Sequence, residues 1–509
     1  MSALARVGLP LALLALVLHV ATAGRYGYFR DELYFIACAQ HLAWGYVDQP
    51  PLVALAAWFA KPFGYALLAL RILPILAAAL TVALVVELVR FLGGGRFAQW
   101  AAGLLSLLLP AYLLLGNVLT TTSFEPLAWT LAIYCTLRIV RGGGASWWVA
   151  LAVVFAFGLY GKYSIALLAF ALFAGLLATP QRRAVATPWF PLAIALTFLF
   201  VSPNLIWQAA HGWPIFEVLR GDAAHRPAFE NGLALESRNL LANAGAFVLE
   251  QLLYENPVAA PIWIAGIVAP FVLRSLRDLR CIAVAAVIVL AAAIAFGAKG
   301  YYVIGIYGSL LAIGCVGLES LRPAWRASAA GAALAVGLLV LPLALPVLPV
   351  DRLIGYTHLL GLTGREGPPH LVQPVFAEEF GWERLARDVA RVYDALPPRV
   401  RARVTIYADT YGDAGALDFF GPRYGLPPAI SSQNSYYLWG THGDDGTTVI
   451  AIGATRIDLL RRYYRRVRLV GTSYDPLKWI VEGPAPIYLC EDPVAPLPVI
   501  WPHLRWYGA

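Results

Sequence analysis

The chain has 509 residues, 60% of them hydrophobic and only 13% charged, with a mean hydropathy of +0.67. Soluble globular domains are closer to half apolar, so this composition excludes an ordinary soluble protein and points to repeated membrane spans. The net charge of +8 resides in short arginine clusters between apolar runs, not in a basic stripe; that reads as membrane topology and excludes nucleic acid as a partner.

Taken from the start, residues 1–23 combine Arg6, an apolar stretch and Ala21-Thr22-Ala23, which mimics a signal-peptide cleavage site. The topology works better with this segment retained as a first span. Further apolar runs lie near residues 65–89, 97–116, 119–137, 147–161, 163–179, 188–207, 256–273, 281–298, 301–318 and 328–348. This predicts about eleven transmembrane helices across a hydrocarbon core about 30 Å thick.

With the N-terminus inside, the inner connections carry Arg90 and Arg96, Arg138 and Arg141, and Arg182 and Arg183. They continue with Arg274, Arg277 and Arg280, then Arg322 and Arg326, so every short inner loop is basic. The same parity sends Asp31, Glu32, Asp48, Glu125, Glu217, Asp222, Glu230, Glu236, Glu250 and Glu255 to outer segments or outer helix ends. Residues 24–64 and 208–255 become the long outer loops, and the C-terminus lies outside.

Near residue 350 the chain turns charged and Pro-rich, and no later stretch could span a bilayer. Strands are predicted at Val404 to Ala408, Thr448 to Ile452, Val467 to Gly471 and Pro486 to Leu489, with helices over 378–395, 413–420 and 454–464. The expected architecture is an all-α polytopic membrane bundle over residues 1–349, followed by an extracytoplasmic α/β domain over residues 350–509.

Candidate chemistry gathers in the outer segments. In the first outer loop, Asp31-Glu32 opens an apolar stretch ending at Gly45, and Pro50-Pro51 follows Asp48 and Gln49. Two short helices are expected there, lying along the membrane surface, with Asp31 as N-cap and Glu32 complementing the helix dipole. A helix start at a membrane surface also suits a reactive carboxylate, so both readings stand.

Lys162 and Lys299 sit at the outer ends of apolar runs, where a lysine serves either as a snorkelling anchor or as a phosphate ligand. Arg71 carries the same two readings. Tyr301 and Tyr302 read as interface-belt aromatics or as walls of a sugar pocket. Glu125 either caps the fourth span or adds a second carboxylate to the site. The stretch from Gln433 to Gly440, with Tyr436, Tyr437 and Trp439, reads equally as a carbohydrate-stacking surface or as a packed edge. His41 and His211 lie on outer loops without a His-x-x-x-His pair. Cys38, Cys135, Cys281, Cys315 and Cys490 show no metal spacing, and three of them lie inside apolar runs as packing residues. No metal site is assigned.

Asp31-Glu32 followed by Pro50-Pro51-Leu52 resembles the membrane glycosyltransferases of the GT-C fold. The branch it is most similar to holds the protein O-mannosyltransferases, the bacterial aminoarabinose transferase and the Rgt-type lipopolysaccharide glycosyltransferases. Glu125 falls where that branch often carries an acid, and Lys162-Tyr163 and Lys299-Gly-Tyr301-Tyr302 resemble its Gly-x-x-x-Lys and Lys-x-Tyr-Tyr stretches. Asp409-Thr-Tyr411-Gly412 with Gln433-Asn434 looks like the outer domain of bacterial members. Gln49 departs from the pattern, standing where many relatives have histidine.

The resemblance implies a polyprenyl-phosphate sugar donor and transfer, with inversion, to an acceptor hydroxyl at the outer face of the cytoplasmic membrane. Asp31 is then the general base and Glu32 orients it, with Lys162, Lys299 and Arg71 on the donor phosphate. Glu125, Tyr301, Tyr302 and Asp48 line the substrate. No cofactor is assigned; a divalent cation near the carboxylates is compatible, but the sequence offers no firm ligand set for it. The acceptor is a lipid, a glycan or a protein. A transporter or lipid flippase is the alternative from another class, and a polysaccharide polymerase or ligase is a third reading. A transporter would place its ionisable groups near the bilayer midplane within repeats, and no repeat is evident.

Overall fold

The computed structural model describes residues 4–224, 240–362, 374–453, 457–478 and 484–508. Glu230 and Glu236, assigned above to the second outer loop, lie outside these described residues. The chain divides into two compact units. One comprises Met1–Arg25, Arg71–Ile206 and Ala228–Pro349; the other comprises Tyr26–Leu70, Trp207–Pro227 and Val350–Ala509. The compositional break near residue 350 therefore coincides with the last entry of the chain into the second unit, which also takes up most of the first outer loop.

The first unit is helical. Among the described residues, five helices are long and apolar enough to cross a membrane: Leu67–Phe91, Trp189–Ala210, Arg274–Phe296, Gly300–Leu318 and Pro323–Ala344. Ala244–Tyr254 and Pro257–Val272 qualify together as a sixth but are bent by 98°. The bend falls at Asn256, whose φ of 64° is left-handed, and at Pro257, which offers no amide hydrogen. Arg6–Thr22, Ala145–Gly161 and Ile165–Leu177 are shorter apolar helices.

Every apolar run read as a span is helical over part of its length. Helix length nevertheless does not carry the expected count of about eleven crossings. The run at 97–116 is split into Arg96–Leu107 and Pro110–Leu115, with Leu109 extended ahead of Pro110. The run at 119–137 becomes α-helical only at Glu125.

Close approach within this unit depends on glycine. A methyl group on Gly266 would strike the Leu310 carbonyl, and one on Gly314 would strike the Ile262 carbonyl. The helices Ala260–Val272 and Tyr307–Leu318 thus each give up a side chain where they meet, as expected where packing and not hydrophobicity joins helices. All five cysteines are buried and unpaired, in keeping with packing roles.

The second unit contains a five-stranded sheet ordered β2-β1-β3-β5-β4. Its strands are β1 (Val404–Ala408), β2 (Ala429–Ser431), β3 (Thr448–Ile452), β4 (Tyr464–Ser473) and β5 (Ala485–Pro493). β1 is parallel to both β2 and β3, while β5 runs antiparallel between β3 and β4. The predicted strands at 404–408 and 448–452 match β1 and β3, and the predictions at 467–471 and 486–489 are the middles of the longer β4 and β5. β2, three residues long, has too short a pattern to be read in advance.

Helix Trp382–Asp394 buries Leu385, Ala386, Val389 and Ala390, which repeat at helical spacing along one face. Helix Tyr411–Phe420 follows β1 directly, with the Thr410 side chain accepting from the Asp413 amide at its N-terminus. It packs on helix Arg30–Gln40, where a methyl on Gly415 would come within 2.8 Å of the Leu33 carbonyl carbon. That contact brings helix Arg30–Gln40 onto the helix that leaves the carboxyl end of β1.

Candidate active-site residues

The two helices expected in the first outer loop are Arg30–Gln40, of 11 residues, and Leu52–Phe59, of 8 residues. At 1.5 Å per residue neither approaches the ~30 Å needed to cross a membrane. The cap of the first differs from expectation. Phe29, not Asp31, is the N-cap, and Glu32 closes the turn by accepting the Phe29 amide at 2.9 Å. Glu32 is fully buried there, so it serves the helix start itself. Once Glu32 meets the exposed amide, Asp31 is not needed as a cap, and its carboxylate faces side-chain donors instead.

Those donors are Tyr411 and Arg30. The Tyr411 hydroxyl donates to Asp31 Oδ1 at 2.9 Å, and Arg30 Nε donates to the same oxygen at 3.4 Å. Arg30 also lies 3.6 Å from Glu378 Oε2, and its guanidinium stands over the Tyr411 ring, 5.4 Å from the centroid. The Asp31 side chain remains 26% exposed, enough for a reactant to reach it.

Asp48 is half-buried beside this group. Tyr34 donates to its Oδ1 at 2.9 Å and Asn434 to its Oδ2 at 3.0 Å. Burial pushes its carboxyl up to about 7, against the opposing pull of the Tyr34 hydrogen bond. The Tyr34 and Tyr411 rings pack at 4.7 Å. Gln49 is buried with its amide directed to Cys38 Sγ at 3.6 Å.

The aromatic stretch at 433–440 is packed at Tyr436 and more open at Tyr437, Leu438 and Trp439. Tyr436 is buried, its ring lies 4.6 Å from Trp439, and Trp439 stacks on His41 at 4.3 Å. His211 stacks on Trp207 at 4.0 Å. Among the described residues, no group of three or more His, Cys, Asp or Glu side chains could hold a metal ion.

In the helical unit a second group forms around Lys162. This residue ends helix Ala145–Gly161 in an extended conformation, because the chain must turn before Ile165–Leu177 begins. Its Nζ donates to Thr122 Oγ1 at 2.7 Å, lies 3.8 Å from Glu125 Oε2, and stands over the rings of Tyr302 and Tyr301 at 4.3 and 4.6 Å. Lys299 Nζ lies 5.9 Å from the centre of the Tyr301 ring. The Ser164 hydroxyl donates to the other oxygen of Glu125.

Five residues singled out in sequence, Glu125, Lys162, Lys299, Tyr301 and Tyr302, thus come together, although 174 positions separate Glu125 from Lys299. Two ammonium groups beside aromatic faces, one of them paired with the Glu125 carboxylate, have the chemistry that binds a phosphate and a sugar ring. Arg71 is fully buried, and its Nη1 donates to the Ala23 carbonyl at 2.7 Å, fixing the exit of the first helix.

Sequence reasoning missed Tyr411, Arg30 and Glu378 around Asp31, Tyr34 and Asn434 around Asp48, and Thr122 and Ser164 beside Lys162. Two of these had a signal, since Asp409-Thr-Tyr411-Gly412 and Gln433-Asn434 stood out as motifs without an assigned task. Arg30 and Ser164 are chain neighbours of Asp31 and Lys162, whereas Glu378, Tyr34 and Thr122 are separated from the groups they meet and left no local sign.

Comparison with known proteins supplies the family context. Residues 48–207 match the family model described as dolichyl-phosphate-mannose-protein mannosyltransferase. Among solved structures, the chain is similar to ArnT from Cupriavidus metallidurans bound to undecaprenyl phosphate, with a TM-score of 0.60 and 14% identity. The alignment covers 94% of this chain and 97% of that one. The apo state of ArnT from the same organism gives a TM-score of 0.56 at the same identity and coverage. No curated protein matches the chain.

Proposed function

Starting from a multi-pass membrane chain with the fold of the GT-C glycosyltransferases, we propose that the protein transfers a sugar from a polyprenyl-phosphate donor to an acceptor hydroxyl. The observation that carries this reading is the meeting of Lys162 and Lys299 on the Tyr301 ring, with Lys162 standing over Tyr302 as well. A leaving phosphate gains negative charge as the glycosidic bond breaks, and fixed cations stabilise that charge most where water is scarce. The ArnT structure that binds undecaprenyl phosphate supports a lipid-phosphate donor for this chain also.

In this reading Lys162 and Lys299 hold the phosphate, whereas Arg71, read in sequence as a third phosphate ligand, is fully buried on the Ala23 carbonyl and is not retained in that role. Tyr301, Tyr302, Glu125 and Asp48 belong to the substrate surroundings. Asp31 takes the proton from the acceptor hydroxyl, which attacks the anomeric carbon from the face opposite the phosphate and inverts it. Glu32 holds the helix turn on which Asp31 stands. A long polyprenyl tail stays in the bilayer, so the donor headgroup is met at the interface. We assign that interface to the outer face of the cytoplasmic membrane, because the short connections at Arg90–Arg96, Arg138–Arg141, Arg182–Arg183, Arg274–Arg280 and Arg322–Arg326 are basic and so belong inside.

The test compares two variants in the full-length protein reconstituted in vesicles with undecaprenyl-phosphate sugars. Asp31→Asn is expected to lose transfer by a factor of about 10² or more while still binding donor. Lys162→Gln is expected to weaken donor binding itself. Full transfer by Asp31→Asn would remove Asp31 from the base role, and unchanged donor affinity in Lys162→Gln would remove the phosphate role.

A further inference from the structure

Asp31 and Tyr411 are 380 positions apart, yet they share a hydrogen bond of 2.9 Å. We propose that Tyr411 is a positioning residue for Asp31, so that the chain after residue 350 sets the orientation of the base. This rests on the assignment of Asp31 as the base.

Both donors to Asp31, the Tyr411 hydroxyl and Arg30 Nε, converge on Oδ1. Oδ2 accepts no hydrogen bond from any described side chain of this group, and the residue is 26% exposed. A carboxylate pinned through one oxygen presents the other in a fixed direction, which is what proton abstraction at about 3 Å demands. Oδ2 is therefore the oxygen that takes the acceptor's proton, while Oδ1 remains bonded to Tyr411.

Tyr411 is itself held from several sides. It begins the helix that follows β1, and its backbone amide donates to Gln433 Oε1 at 2.7 Å. Gln433 lies in the segment following β2, so the carboxyl ends of two adjacent parallel strands are tied together behind the phenol. The Tyr411 ring packs on Tyr34, and burial keeps its hydroxyl protonated far above the ordinary range for a phenol. It therefore stays a donor throughout the working pH. A carboxylate stabilised by a donor is a weaker base but keeps its charge to lower pH.

The experiment is a pH–rate profile of the full-length protein in vesicles, with a panel of undecaprenyl-phosphate sugars as donors and an envelope-lipid extract as acceptor. Tyr411→Phe keeps the ring and deletes the hydroxyl. Asp31 then loses a stabilising donor, so the acid limb of kcat should move to higher pH by about one unit, with the donor KM unchanged. Arg30→Gln removes the second donor and should move the limb in the same direction, which keeps the proposal testable if the tyrosine variant fails to insert. Tyr436→Phe deletes a comparable phenol, one that donates to Asp418 at 2.6 Å, and should leave the limb in place. An unmoved limb in both Tyr411→Phe and Arg30→Gln, with Asp31→Asn still inactive, overturns the positioning role and spares the base. An equal shift in Tyr436→Phe overturns it too, as a general effect of loosening the unit. An active Asp31→Asn is the distinct result that removes the base.

Discussion

Asp31 and Asp48 show how environment separates two acids on one loop. Asp31 is exposed on one side and bonded through one oxygen, whereas Asp48 has each oxygen occupied and is raised to about 7 by burial. The rise has a consequence for stability. An unfolded Asp titrates near 3.8, so between about pH 4 and pH 7 the folded chain binds more protons at this site than the unfolded chain does. Stability from this group is therefore fully present at low pH and is lost as pH rises through that window, at no more than about 1.4 kcal/mol per pH unit. Asp48→Asn cannot ionise, and thermal unfolding measured at pH 5 and pH 8 should show a smaller difference for it than for the unmodified protein. Equal differences in the two would contradict the burial effect.

At the scale of elements, the contact between helices Ala260–Val272 and Tyr307–Leu318 depends on Gly266 and Gly314 facing each other's backbones. Because lipid tails are as apolar as leucine, helices in a bilayer gain little from hydrophobic burial and rely on close fit. Gly314→Ala sets a methyl against the Ile262 carbonyl, which cannot move aside as a side chain can. A loss of about 1–3 kcal/mol is expected, read as a lowered unfolding midpoint in detergent. Gly331 in helix Pro323–Ala344 is the matched case, with open space where its methyl would lie, and Gly331→Ala should hold or raise the midpoint. If both variants behave alike, the glycine contact is not what sets the fit.

At the scale of the molecule, the α/β unit draws on three stretches of chain: Tyr26–Leu70, Trp207–Pro227 and Val350–Ala509. Helix Arg30–Gln40 buries Leu33, Tyr34, Phe35 and Ile36, and helix Tyr411–Phe420 packs against it. Residues 350–509 expressed alone would expose that face of the Tyr411 helix to water. Such a fragment is expected to lack a cooperative unfolding transition and to be cut quickly in limited proteolysis. A stable fragment with a sharp transition would show that the C-terminal segment folds without the first outer loop.

Much of this architecture was legible beforehand, because composition and period are local properties. Apolar runs, arginine clusters, the change near residue 350, and strands β1 and β3 could each be read from a few neighbouring residues. The lysine group was half legible: Lys162 and Lys299 stood out because a lysine in an apolar run is costly, but nothing local showed that Lys162 reaches the Tyr301 ring beside Lys299. The N-cap was misjudged at Asp31 because the exposed amide at Phe29 is met from three residues further on, by Glu32. Which donors meet Asp31 was decided by tertiary structure alone. A hydrogen bond between residues 380 positions apart leaves no periodic trace in a sequence, since it exists only once Gly415 lets one helix lie against another.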